Sequence, residues 1–124
     1  MPPAGNDDLP EFDEAPLADI AASLPAAQLT QFLGDYLASG EKHIERLQAF
    51  HAAGDMAALG AEAHTLVSTT GSYGLKRASA IARQLETACK AGLTDDVPAL
   101  VDMLASASRR GWEALRRRFL ASPT

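Results

Sequence analysis

Apolar residues recur along the chain at spacings of three and four, and the breaks fall at glycine, proline and aspartate. From Pro25 to about His51, the residues Leu29, Phe32, Leu33, Tyr36, Leu37, Ile44, Leu47 and Phe50 form one stripe of an amphipathic helix. Pro25 suits its first turn, where the missing N–H would be unpaired anyway. Gly34 and Gly40 weaken this helix by roughly 1 kcal/mol each if exposed. Gly54 can take the left-handed conformation that ends a helix, and Asp55 can accept from the free N–H groups of the next. That next helix spans Met56 to about Thr70, with Met56, Leu59, Ala63, Leu66 and Thr70 toward the core. Gly71, Ser72 and Gly74 predict a bend. A further helix runs from about Tyr73 to Ala91, with Leu75, Ala78, Ile81, Ala82, Leu85 and Cys89 on one face, and Gly92 ends it. Thr94, Asp95 or Asp96 caps the last helix, which continues to about Leu120 with Leu100, Val101, Leu104, Trp112, Leu115 and Phe119 inward. A short helix over about Ala15–Leu24 precedes them all.

Four long amphipathic helices joined by short loops predict an all-α, up-down-up-down four-helix bundle with a short extra N-terminal helix. No segment shows the sustained alternation of a strand. Residues 1–14 are polar, acidic and aperiodic, so a disordered acidic tail is expected there, with one helical bundle domain over 15–124.

Composition narrows the classes of function. A net charge of −5 argues against general nucleic-acid binding. No apolar run approaches the roughly 18–20 residues that cross a bilayer, and the N-terminus lacks the positive start and apolar stretch of a secretory signal. A single cysteine, Cys89, excludes an internal disulfide. The expectation is a cytoplasmic monomer with no membrane partner. Charge is unevenly spread: Asp7, Asp8, Glu11, Asp13 and Glu14 crowd the front, and Arg109, Arg110, Arg116, Arg117 and Arg118 the end. Either these are solvated termini, or the arginines form a contact surface, for a partner or for the tail folding back.

The chemistry centres on His64. At about 100° per residue, His64 lies well around the helical wheel from the core side and should meet solvent. Its neighbours one turn away are Gly60, Ala61, Val67 and Ser68, with Ala57 two turns back; all but Val67 are small and none is charged. A second protein's active site can descend on such a surface without meeting long side chains. Gly60, inside a helix, is either room for that partner or a tolerated defect. A neutral imidazole is nucleophilic near pH 7, can attack phosphorus and can later leave. Phosphoryl transfer asks mainly for in-line positioning and charge stabilisation, which a partner can supply. His43 and His51 have no such surroundings. No His-x-x-x-His pair exists, so no metal site is expected. Cys89 and Trp112 read as core residues, and there is no phosphate-cradling loop of the GxxxxGK type.

The stretch from Ala63-His64-Thr65-Leu66-Val67-Ser68 through Gly74-Leu75 resembles the histidine-containing phosphotransfer (HPt) family, whose pattern is alanine-histidine-x-leucine-lysine-glycine, then small residues and a glycine. The similarity covers about residues 20–120. It implies that His64 carries a phosphoryl group between the aspartates of response-regulator receiver domains, in a relay fed by a hybrid sensor histidine kinase. It also implies no cofactor of the chain's own, the Mg2+ belonging to the receiver. Two positions depart from the pattern. The family's lysine is Val67 here and its glycine is Ser68. Ser68 brings a hydroxyl that can donate one hydrogen bond. Lys90, late on the adjacent helix, is the best placed substitute cation among Lys76, Arg77, Arg83 and Lys90. Glu86 matches a position where the family often places glutamine or glutamate near the histidine. Ser68, Glu86 and Lys90 thus form the expected phosphoryl environment. The expected docking face comprises Ala57, Gly60, Ala61, Val67 and Ser68, with Gly71 and Lys76 near the rim. The competing reading is a non-catalytic adaptor that binds a receiver without accepting its phosphoryl group.

Overall fold

The computed structural model describes residues 8–120, which form five helices: α1 (Ala15–Ser23), α2 (Ala26–Ala52), α3 (Met56–Gly71), α4 (Lys76–Ala91) and α5 (Val97–Phe119). The four long helices close a ring in which each packs on its neighbours in chain order and α5 returns to α2. This is the expected four-helix bundle with an extra N-terminal helix. No described helix is long and apolar enough to cross a membrane.

The inward stripes supply the core. Leu33, Ile44 and Leu47 from α2 meet Leu59 and Leu66 from α3, Leu85 from α4, and Leu104 and Leu115 from α5, all essentially without solvent contact. Leu17 is the one buried residue of α1. Helix ends follow local chemistry. Asp55 accepts from the Ala58 N–H at 3.0 Å and starts α3. Gly92, at φ +71°, ends α4 in the left-handed region.

Two sequence expectations need correction. α4 begins at Lys76, not Tyr73. Gly74 stands at φ +87° and breaks helical continuity, while Leu75 N–H returns to Thr70 O (3.0 Å) to close α3. Tyr73 is thereby released to stack on Tyr36, ring centroids 3.5 Å apart.

The second concerns the acidic tail. Residues 1–7 lie outside the described residues, but 8–14 form an ordered strap over α4 and α5 rather than a disordered segment. Asp13 N–H donates to Gly74 O (2.8 Å), and Arg77 N–H to Pro10 O (3.1 Å). Glu11 pairs with Arg77 (3.1 Å) and Arg110 (3.4 Å), and Glu14 with Arg118. Lys76 lies 2.7 Å from Asp13 and holds that carboxyl below its usual range. Phe12 adds an edge-on contact with Phe119. The tail folding back onto arginines is therefore the reading the geometry supports. Its Asp13 N–H is met by the Gly74 carbonyl, its Pro10 carbonyl by the Arg77 N–H in α4's first turn and its Leu9 carbonyl by Arg77 Nε–H, and sequence periodicity carries no record of such pairing.

The two glycines of α2 behave oppositely. A Cβ at Gly34 meets nothing within 4 Å, whereas at Gly40 it would stand 2.5 Å from Trp112 Cζ2. Gly34→Ala is expected to stabilise the chain by about 1 kcal/mol through helix propensity. Gly40→Ala is expected to destabilise it by about 1–2 kcal/mol net, because the buried indole must shift. Paired denaturant titrations check the sign; equal effects at both positions would contradict the packing.

Candidate functional site

α3 crosses close to α4 because glycines face the crossing. At Gly60 an added Cβ would lie 3.1 Å from Cys89 Cβ, and at Gly71 3.0 Å from Ser79 Oγ. Gly60 is buried, so its missing side chain serves α4 rather than a partner's approach or an idle defect. Ser79 Oγ also donates to Val67 O at 2.8 Å, which ties the two helices at the turn beyond His64.

This close approach brings the α4 residues Glu86 and Lys90 beside His64. The His64 side chain is 73% exposed, while Glu86 is 14% exposed. Glu86 Oε2 lies 2.7 Å from His64 Nδ1 and 3.0 Å from Lys90 Nζ, so one carboxylate oxygen bridges the imidazole and the ammonium. Lys90 foremost, and His64 after it, hold the Glu86 carboxyl below its usual range, against partial burial that acts the other way. An ionised carboxylate only accepts, so Nδ1 is the donor and the imidazole lone pair sits on Nε2. The ring is thus fixed in one tautomer, with its nucleophilic nitrogen on the side away from Glu86.

The imidazole stands in an open groove of about 800 Å³ between α3 and α4, lined on its α3 side by Met56, Ala57, Gly60, Ala61 and Thr65 and on its α4 side by Glu86, Cys89 and Lys90. Among the expected site residues, Ala57, Gly60, Ala61, Glu86 and Lys90 therefore share a surface with His64. Ser68 is exposed one turn on but does not line the groove. Val67 and Gly71 are half-buried toward α4. Lys76 is engaged with Asp13 of the strap. Thr65, Met56 and Cys89 belong to the groove although the sequence pattern does not point to them. Periodicity assigns Met56 and Cys89 to the core, and both are in fact half-buried where two core stripes reach the surface. Burial pushes the Cys89 thiol's pKa up, consistent with an unreactive sulfur.

His43 forms a contrasting pair. Its Nδ1 lies 2.5 Å from Glu62 Oε1, and its side chain is only 17% exposed. It links α2 to α3 and is held by Glu62 at mostly buried depth rather than projecting into solvent as His64 does.

No characterised protein and no solved structure gives a significant match to the chain. The family model for the Hpt domain matches residues 31–118, a span that holds α3 to α5 almost entire, with His64 and both of its α4 neighbours inside it. Hpt domains act in phosphotransfer in two-component signalling and engage receiver domains and kinases. With an exposed, tautomer-fixed histidine on the bundle surface and this match over most of its length, the chain belongs to the Hpt domain family.

Proposed function

We propose that the chain relays a phosphoryl group between receiver-domain aspartates through Nε2 of His64. The observation that carries this reading is the exposed imidazole held at Nδ1 by Glu86. In the forward step the Nε2 lone pair attacks the phosphorus of a receiver's aspartyl phosphate. The N–P bond forms as the O–P bond breaks, and the aspartate leaves as a carboxylate. The positive charge that develops on the ring faces Glu86, which stabilises it through Nδ1–H. A second receiver aspartate reverses the step, with the imidazole as leaving group. Mg2+ held by the receiver would neutralise the phosphoryl oxygens on its own side, and His64 and Glu86 would then act with no cofactor of the chain's own. Ala57 and Ala61, small and exposed, leave the approach unobstructed, and the chain works as a cytoplasmic monomer fed by a hybrid sensor histidine kinase.

Lys90 supplies the cation that Val67 does not, and the Ser68 hydroxyl adds a donor nearby. Lys90→Met is expected to slow phosphoryl acceptance about tenfold, the worth of one charge-assisted hydrogen bond. Adding Val67→Lys, which puts the ammonium on α3, should recover most of that loss. A rate that Lys90→Met leaves unchanged would remove Lys90 from the site.

Incubation with a radiolabelled phospho-receiver tests the relay itself. Label on the chain that is acid-labile and alkali-stable supports it. Val67 and Ser68, where the family has lysine and glycine, favour the second reading, a receiver-binding adaptor; complex formation without label would establish that one instead.

A further inference from the structure

On the α2 side of the bundle, four aromatic rings gather around a cleft of about 350 Å³ lined by α2, by Thr69 of α3, by Tyr73 in the turn after it and by Trp112 of α5. Tyr36 and Tyr73 stack, Phe32 stacks on Tyr73 with centroids 5.9 Å apart, and Trp112 meets Tyr36 edge-on at 6.4 Å. Phe32 is 38% exposed, a large apolar side chain left at the mouth. The indole reaches this position only because it lies against the bare backbone of Gly40.

The polar groups of the cleft restrict what can enter. Tyr36 Oη already donates to Thr69 O at 2.6 Å and accepts from Trp112 Nε1 at 3.2 Å. Asp35 at the mouth accepts from Gln31 Nε2 at 3.0 Å, and no cationic side chain pairs with it among the described residues. His43 at the far end is matched by Glu62. Because Tyr36, Tyr73 and Phe32 stack on one another, the electrostatic features left at the mouth are the exposed Phe32 ring, whose face carries negative quadrupole, and the Asp35 carboxylate. Both attract a cation. With the Tyr36 hydroxyl committed, an N–H-rich ligand could replace its hydration only at the Asp35 carboxylate and the Ser39 and Tyr73 hydroxyls. A methylated ammonium has little to lose in that way.

We infer that this cleft, formed by Phe32, Tyr36, Tyr73 and Trp112 with Asp35, is a binding site for a small organic cation of the methylated-ammonium class. The site is independent of phosphotransfer at His64.

Trp112 is the only tryptophan of the chain and lines this cleft, so its fluorescence responds to a ligand bound there. Choline titrated into the full chain should give a saturable change with a dissociation constant on the order of millimolar, as expected for a few cation–π contacts and one ion pair. The uncharged shape mimic 3,3-dimethyl-1-butanol should bind at least tenfold more weakly. Asp35→Asn and Phe32→Leu, both at exposed positions, should each weaken choline binding severalfold. His64→Gln should bind choline as the wild type does, which separates this site from the relay. A response that does not saturate, or that sodium chloride reproduces, would overturn the assignment. So would equal binding of the uncharged mimic, or an Asp35→Asn variant that binds as tightly as the wild type.

Discussion

Glutamine in place of His64 is expected to remove the phosphoryl label completely while leaving the bundle folded. The histidine side chain is mostly solvent-exposed and contributes nothing to the core, so its replacement falls in the class of surface changes worth about ±0.5 kcal/mol. A glutamine amide can still reach Glu86 through its NH2, but it has no nitrogen lone pair able to attack phosphorus. Acceptance of label from a phospho-receiver should therefore drop to background, with a thermal midpoint within a few degrees of the wild type. Residual acid-labile label on the His64→Gln variant would mean that another histidine accepts. His43 is a poor candidate because it is largely enclosed and paired with Glu62. Glu86→Leu should give an intermediate result. The nucleophile survives, but Nδ1 is no longer held and the developing ring charge is unopposed, a loss of about 10–100-fold for a supporting group of this kind.

The largest effect on stability is expected at Gly74. Its φ of +87° disfavours any side chain, and an added Cβ would stand 2.0 Å from the backbone oxygen of Asp13. A backbone atom cannot rotate away as the end of a side chain can. Gly74→Ala should therefore displace the strap and forfeit the Asp13 N–H bond to Gly74 O, along with the ion pairs that depend on the strap's position. Left-handed strain of about 1–2 kcal/mol and the lost strap contacts together give an expected cost of about 3 kcal/mol, or a midpoint lower by roughly 10–20 °C. Hydrogen exchange locates the damage. The amides of Asp13 and Arg77, which bond across the strap, should exchange like exposed amides, while those in the middle of α2 keep protection in proportion to global stability. Uniform loss of protection, with Asp13 no worse than α2, would mean that the strap does not rest on Gly74.

Much of the architecture is readable from spacing because each helix carries its own instruction. The stripe of Leu33, Leu37, Ile44 and Leu47 turns one face inward wherever the helix is placed, and Asp55 caps α3 with a bond three residues away. Such features depend on neighbours in sequence. The exposure of His64 is readable for the same reason, since a residue opposite a core stripe faces outward in any bundle. Spacing misplaces the start of α4 by three residues, because it makes Tyr73 helical. The Tyr73 ring instead stacks on Tyr36, a partner far away in sequence.

The sequence by itself therefore determined the helices, their inward faces, the bundle and the outward histidine, all consequences of periodicity and short-range hydrogen bonding. Only the tertiary structure decided that Gly60 makes room for Cys89, that one oxygen of Glu86 joins His64 to Lys90, and that residues 8–14 lie across α4 and α5. These pairings join residues distant in the chain, so they arise only when helices pack. The helix period places a residue on a face, but the distance and register between two helices select the atoms that meet.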